Sequence, residues 1–146
     1  MEKLLLRDNK YSEDVRVDRI EQFDSASRGY SIGDLRKATH KLRSYTWRCN
    51  EWFDQGEEGA CVGFALGHEL AARPSEVKDL DFKYLVKNIY WEAQKNDPWA
   101  GGSYPGASPR YAGTSILAGV KQVKKLGYIE EYRWAFNIED VLYGLG

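Results

Sequence analysis

The stretch Asp54-Gln55-Gly56-Glu57-Glu58-Gly59-Ala60-Cys61-Val62-Gly63-Phe64-Ala65 joins a loop punctuated by glycines to an apolar segment that opens with a cysteine. Beyond it the apolar residues continue on more than one face of a helix, which is typical of a helix buried on most sides. Pro74 and the residue before it disfavour further helix. The pattern therefore predicts a buried helix over about 60–72, with Cys61 in its first turn.

A cysteine at the start of a helix has the surroundings that a nucleophilic thiolate needs. Unsatisfied backbone N–H groups and the positive end of the helix dipole stabilise negative charge on the sulfur. If the thiolate attacks a peptide carbonyl, two donors must face the oxygen that becomes negative, and each is worth roughly 3–4 kcal/mol. The backbone N–H of Cys61 and the side-chain amide of Gln55 can be these donors if the loop between them folds back. Gly56 and Gly59 give that loop its freedom.

The composition indicates a folded domain of ordinary size. The chain has 146 residues, 42% of them hydrophobic, and its 5 Trp, 10 Tyr and 5 Phe argue against disorder. Lys and Arg total 21 and Asp and Glu total 22, so the formal net charge of -1 provides no field that would attract nucleic acid. No apolar run approaches the roughly 20 residues of a membrane span, and the N-terminus lacks the apolar core of a secretion signal.

The cysteines and histidines predict neither disulfides nor a metal site. Cys49 and Cys61 are too few for a disulfide framework, so we expect free thiols in a reducing compartment. No pair among these cysteines and the histidines, His40 and His68, has the spacing of metal ligands. We therefore expect no metal and no other cofactor.

The order of patterns along the chain divides it near residue 33. Residues 1–33 predict a charged, extended lead-in, in which 14–18 alternate as a short strand would and 23–30 are rich in turn residues. Residues 34–146 contain the helical patterns. Besides the helix with Cys61, they predict helices over 82–94 and from Thr114 or Ser115 to Leu126, and a last turn capped by Asn137.

A long loop over 97–113 separates two of the predicted helices. Loops of this length are uncommon unless they are functional or mobile. Trp99, Tyr104 and Tyr111 either form the wall of a cleft or pin the loop to the surface. The sequence leaves both interpretations open.

The segment around Cys61 resembles the nucleophile segment of papain-type cysteine peptidases, in which a glutamine stands six residues before the cysteine. Two positions differ from the family pattern: Val62 replaces the tryptophan that often follows the nucleophile, and Glu58 replaces a cysteine that forms a disulfide in many members. Further stretches between about residues 43 and 146 resemble elements of the same family. They are Tyr45-Thr46-Trp47-Arg48, Leu80-Asp81-Phe82-Lys83-Tyr84-Leu85, Gly113-Thr114-Ser115-Ile116, Val123-Lys124-Lys125-Leu126-Gly127-Tyr128 and Tyr132-Arg133-Trp134-Ala135-Phe136.

The resemblance implies an α+β family, of which this chain is the mainly α-helical left-hand lobe and lacks the β-rich right-hand lobe. It implies that Cys61 is the catalytic nucleophile, that Gln55 stabilises the oxyanion, and that the substrate is a peptide or protein. The histidine and asparagine of the family would come from a partner lobe or a second chain. In the family the histidine lies roughly 130–150 residues after the cysteine, whereas this chain ends at residue 146. The substrate-binding residues that the resemblance implies are Gly59, Ala112, Gly113 and Thr114.

Neither histidine of this chain is expected to serve as the base. His68 lies seven positions after Cys61 on one helix, roughly 10 Å along its axis. A general base must lie within about 2.6–3.2 Å of its partner or reach it through one water. His40 stands among charged residues and is expected to be solvated.

Two functions remain open at this point. The first is the nucleophile-bearing half of a papain-like thiol peptidase, which cleaves peptide bonds through an acyl-enzyme on Cys61 once the other lobe is present. The second is a catalytically inactive left-lobe module that acts in binding or assembly, for example in a phage particle. The resemblance to bacterial and phage members implies an intracellular location or a phage particle.

Overall fold

The computed structural model describes residues 4–5, 11–12, 25–36 and 46–145. These residues are mostly helical, and they form two compact units. The larger unit comprises 4–5, 11–12 and 48–129, and the smaller unit comprises 25–36, 46–47 and 130–145. The boundary predicted near residue 33 does not coincide with this division. The expected strand over 14–18 lies outside the described residues, as does His40.

The larger unit contains one short strand pair and a set of helices. Strands β1 (Leu4–Leu5) and β2 (Tyr11–Ser12) pair antiparallel. The first long helix, α1, spans Cys61–Ala71, which confirms the helix predicted over about 60–72. The helix predicted over 82–94 is also confirmed, as three consecutive sections without a break. These are α2 (Phe82–Tyr84), a π-helical section (Leu85–Tyr90) and α3 (Trp91–Asn96).

Helix α4 spans Ile116–Lys125, with both ends marked by the residues expected there. Ser115 is the N-cap, and its hydroxyl accepts a hydrogen bond of 3.0 Å from the amide of Ala118. Gly127 follows the helix with a φ of 81°, the left-handed conformation that glycine adopts most readily. Because both signals are local in sequence, they predicted the ends of this helix to within a few residues.

The core of the larger unit lies between α1, the π-helical section and α4. Phe64 of α1 packs with Leu85, Ile89 and Tyr90, which are fully buried as their spacing predicts, and Val123 of α4 completes the cluster. The tyrosine hydroxyls at one edge of this core also meet. Tyr84 and Tyr128 share a hydrogen bond of 2.6 Å, and burial with this contact raises the pKa of Tyr84 to about 12.

Glycines allow the helices of this core to approach closely. A Cβ at Gly63 would lie 2.8 Å from the Cβ of Tyr90, and a Cβ at Gly67 would lie 2.7 Å from a methyl of Leu85. Real side chains do not tolerate such distances, so these two positions require glycine despite its low helix propensity. Close packing against the π-helical section thus accounts for two glycines inside α1.

Gly119 offers a direct test of this packing. A Cβ added there would meet Cγ1 of Val62 at 2.5 Å and a methyl of Leu66 at 2.8 Å. We expect Gly119→Ala to lower the free energy of unfolding by about 1–3 kcal/mol, because overpacking forces the helices apart. Urea denaturation measures this change. Lys121→Ala, at an exposed position of the same helix, is the control, and equal stability of the two variants would contradict the packing shown here.

The smaller unit combines two short 3-10 helices with one α-helix. The 3-10 helices span Ser25–Tyr30 and Ile32–Leu35, and α5 spans Ile138–Leu145. The amide of Trp134 donates to the carbonyl of Tyr30 at 2.8 Å, and the amide of Ile32 donates to the carbonyl of Trp134 at 2.9 Å. Residues 25–30 are thus 3-10 helical, and a partner more than a hundred residues away holds the end of this segment.

Asn137 caps α5, as predicted. Its side-chain oxygen accepts from the amide of Asp140 at 2.8 Å, and the buried carboxylate of Asp140 accepts from the amide of Phe136 at 3.0 Å. The two side chains thus both accept from backbone amides at the start of α5, in an arrangement related to a capping box.

Residues 46–48 form no strand, although the resemblance suggested one. Instead Cys49 forms a single antiparallel bridge with Ala72, and the amide of Arg73 donates to the carbonyl of Arg48 at 2.8 Å. Among the described residues, every helix is too short or too polar to cross a lipid bilayer.

Candidate active site

Cys61 is the first residue of α1, and its side chain is exposed. The N-cap residue, Ala60, has no side chain able to accept a hydrogen bond from the helix, and the first backbone bond of the helix runs from Phe64 to Ala60. The amides of residues 61–63 therefore have no acceptor within the helix. They place the partial positive charge of the helix start at the first turn, where Cys61 stands.

The loop before Cys61 folds back on itself. The amide of Glu58 donates to the carbonyl of Gln55 at 3.2 Å, and Gly56 between them has a φ of 59°. This left-handed conformation favours glycine. The turn is closed further by the amide of Gly56, which donates to the carboxylate of Asp54 at 2.8 Å. Gly56 thus allows the chain to reverse its direction in this loop.

The fold-back brings the side chain of Gln55 towards the start of α1. Its Nε2 donates to the carbonyl of Glu58 at 3.0 Å, and the amide of Ala60 donates to the same oxygen at 2.7 Å. The two nitrogens therefore lie within two hydrogen-bond lengths of each other. An amide nitrogen carries two hydrogens, and among the described residues the second hydrogen of Gln55 has no acceptor. That hydrogen remains available to a ligand.

The loop packs directly against the segment 112–114. A Cβ at Gly59 would lie 2.6 Å from the Cβ of Ala112 and 3.6 Å from the amide nitrogen of Gly113. Only glycine permits this approach. The structure therefore brings together three of the residues that the resemblance assigns to substrate binding, next to the cysteine.

The backbone groups of Gly113 form hydrogen bonds with side chains inside the protein. Its amide donates to the hydroxyl of Tyr90 at 2.8 Å, and its carbonyl accepts from Nε2 of Gln94 at 2.9 Å. Gly113 therefore does not offer its amide to a substrate in this structure. Within the described part of the chain, the amide and carbonyl of Ala112 make no hydrogen bond, so Ala112 is the member of this edge that is open to a ligand. The hydroxyl of Thr114 donates a hydrogen bond of 2.7 Å to the carboxylate of Asp97.

Tyr90 and Gln94 belong to the site although the sequence did not identify them. Both lie in the helical segment between Leu85 and Asn96 and are fully buried or nearly so. The only signal for them was a polar pair four residues apart on the face of the helix that also carries its buried apolar residues. Both bond to Gly113, which lies 23 residues after Tyr90 and 19 residues after Gln94, beyond the range of local patterns.

The loop over 97–113 is held by its own hydrogen bonds. The amide of Gly102 donates to Pro109 at 3.1 Å, the amide of Tyr111 donates to Gly102 at 3.2 Å, and the hydroxyl of Tyr111 donates to Trp99 at 3.3 Å. The ring of Tyr104 lies under the ammonium of Lys95. The side chains of Tyr104 and Tyr111 thus help to hold the loop.

His68 faces a neighbouring segment and not Cys61. Its Nε2 accepts a hydrogen bond of 3.0 Å from the amide of Phe53, and its ring lies against those of Phe53 and Trp52. This contact occupies the nitrogen that would otherwise act as a base. In the described residues no group of three or more side chains could hold a metal ion.

No protein-family model, curated protein or solved structure matches the chain.

Proposed function

We propose that this chain is the nucleophile-bearing half of a papain-like thiol peptidase. It cleaves peptide bonds through an acyl-enzyme on Cys61 when a second lobe supplies a histidine and an asparagine. One observation carries the proposal: an exposed thiol stands at the uncapped start of α1, beside a loop that turns the amide of Gln55 back towards it.

The reaction follows from these groups. The thiolate of Cys61 attacks the carbonyl carbon of the scissile bond, and the carbonyl oxygen becomes negative. This oxygen accepts hydrogen bonds from the backbone N–H of Cys61 and from the second N–H of Gln55. The histidine of the other lobe, which has taken the proton of the thiol, gives it to the nitrogen of the scissile bond as the C–N bond breaks and the amine leaves. Water then attacks the thioester, which releases the carboxylic acid and restores the thiol.

Ala112 supplies the edge along which the peptide lies. An extended peptide can pair with the free amide and carbonyl of this residue, as a strand added to a sheet edge does. Because Gly59 contacts Ala112 directly, a peptide on this edge passes close to the start of α1. The carbonyl to be attacked then lies within reach of the sulfur.

A second candidate function is binding or assembly without catalysis. Large apolar side chains are exposed in the larger unit: Trp52 is 87% exposed and Ile116 is 61% exposed. Extensive exposed apolar surface marks sites of interaction with other proteins. Both functions therefore predict association with a partner, and only the chemistry of Cys61 separates them.

Alkylation by iodoacetamide at neutral pH separates the two functions. Cys49 and Cys61 are both exposed, so access to the reagent does not distinguish them, and only Cys61 lies at a helix start. We expect Cys61 to react about fivefold faster than Cys49, because a helix N-terminus stabilises an anion by up to about 1 kcal/mol. Peptide mapping by mass spectrometry follows both sites in one sample. Equal rates, or a faster Cys49, would favour the binding module.

A further inference from the structure

A buried glutamine joins the middle of the loop over 97–113 to the end that leads to the substrate edge. Gln94 is 1% exposed, and its side-chain oxygen accepts from the amide of Ser103 at 2.9 Å and from its hydroxyl at 3.1 Å. Its nitrogen donates to the carbonyl of Gly113 at 2.9 Å and to the hydroxyl of Tyr90 at 3.0 Å. All four hydrogen-bonding positions of the amide are thus filled.

A buried tyrosine connects the same edge to the helix of the nucleophile. The Cβ of Tyr90 packs where a Cβ of Gly63 would stand, two residues after Cys61. At its other end, the hydroxyl accepts the amide of Gly113 at 2.8 Å. The length of one rigid side chain therefore sets the distance between α1 and the segment 112–114.

We propose that Tyr90 and Gln94 are positioning residues. They hold Ala112 in the position in which it binds a peptide that lies across Cys61. This inference rests on the proposed function, because it assumes that Ala112 receives the substrate. Both backbone groups of Gly113 are held from inside, so the neighbouring peptide groups of Ala112 are turned outward and cannot rotate inward. Loss of the hydroxyl of Tyr90 frees the amide of Gly113 and lets this edge shift.

The position of the edge matters more for peptide recognition than for the thiol itself. A displacement of about 1 Å in a binding edge can cost up to 10²-fold in rate, because the reacting atoms no longer meet in line. The reactivity of Cys61 towards a small reagent depends on the start of α1, whereas the hydroxyl of Tyr90 and the amide of Gln94 bond to the backbone of Gly113. The two properties should therefore respond differently to substitution.

Two alkylating reagents with the same reactive group measure the two properties separately. One is iodoacetamide, and the other is a blocked dipeptide that carries an iodoacetamide group. The ratio of their second-order rates at Cys61 reports peptide recognition, while the iodoacetamide rate alone reports the thiol. For Tyr90→Phe we expect the ratio to fall about tenfold and the iodoacetamide rate to stay within about twofold of the parent.

Tyr84→Phe is the matched control, because it removes a tyrosine hydroxyl that is bonded to Tyr128 and not to the loop. It should leave the ratio unchanged. If Tyr90→Phe does not fold, Gln94→Met gives the same test, since it keeps the shape of the side chain and removes its polar atoms. Amide exchange at Gly113, measured by NMR, should become faster in either variant.

The outcomes of these measurements are distinct. A dipeptide reagent that reacts with the parent protein no faster than iodoacetamide shows that the chain has no peptide edge, and it overturns the proposed function together with this inference. A preference for the dipeptide reagent that persists in folded Tyr90→Phe overturns this inference alone. A lower ratio with the iodoacetamide rate preserved, together with faster exchange at Gly113, supports both.

Discussion

Replacing Cys61 with alanine is expected to abolish peptide-bond cleavage by the protein combined with the lobe that supplies its histidine. The sulfur is the atom that forms the acyl-enzyme, so its loss removes the covalent route entirely, and activity should fall by at least about 10⁴-fold. Release of a chromophore from a peptide substrate measures the effect. Unchanged turnover would refute the assignment of the nucleophile.

The fold should survive this substitution. Cys61 is exposed, and alanine is the best helix-forming residue. We therefore expect the free energy of unfolding to change by no more than about 0.5 kcal/mol. Cys49→Ala is the matched control, because it removes the other exposed thiol, which lies outside the helices, and it should retain full activity. Parallel losses in both variants would point to a general effect of the thiols on stability.

Local patterns in the sequence predicted the helices well. The apolar segment from Cys61 and the caps Ser115 and Asn137 each involve residues within one or two turns of each other. Such signals are visible in sequence because the residues that interact are neighbours along the chain. The start of α1, which sets the position of the candidate nucleophile, was therefore correct.

Long-range contacts account for what the sequence did not reveal. The 3-10 helix Ser25–Tyr30 is paired through Trp134, and the backbone of Gly113 is held by Tyr90 and Gln94. In each case the deciding partner is far away in sequence, and no local preference indicates it. The sequence did not reveal the π-helical section Leu85–Tyr90 either, because its apolar pattern fits an α-helix equally well.

The same distinction applies to the segment 112–114. The resemblance assigned Gly113 to substrate binding, and the structure places it beside Gly59, which stands two residues before Cys61 in the sequence. Its hydrogen bonds to the helix nevertheless turn its amide inward, which leaves Ala112 as the open residue. A motif can therefore identify the segment that borders a site, while the tertiary contacts decide which peptide group of that segment faces the ligand.

Gln55→Ala is expected to lower the turnover number by about 10²–10³, because it removes one of two donors to the developing oxyanion. The loop should keep its form. The carbonyl of Glu58 loses one donor but keeps the amide of Ala60, and the backbone turn from Gln55 to Glu58 does not involve the side chain. The cost in stability should therefore be about 1 kcal/mol, the net value of one hydrogen bond.

Three measurements on Gln55→Ala separate catalysis from loop structure. Turnover should fall, the rate of iodoacetamide alkylation at Cys61 should stay within about twofold of the parent, and the unfolding curve should shift only slightly. Glu57→Ala, at an exposed position of the same loop, controls for general effects on the loop and should leave turnover unchanged. Alkylation that slows in step with turnover would mean that Gln55 acts on the thiol through the loop. Because the oxyanion exists only during cleavage and not during alkylation, a loss confined to turnover is the result expected of a donor that acts on that charge.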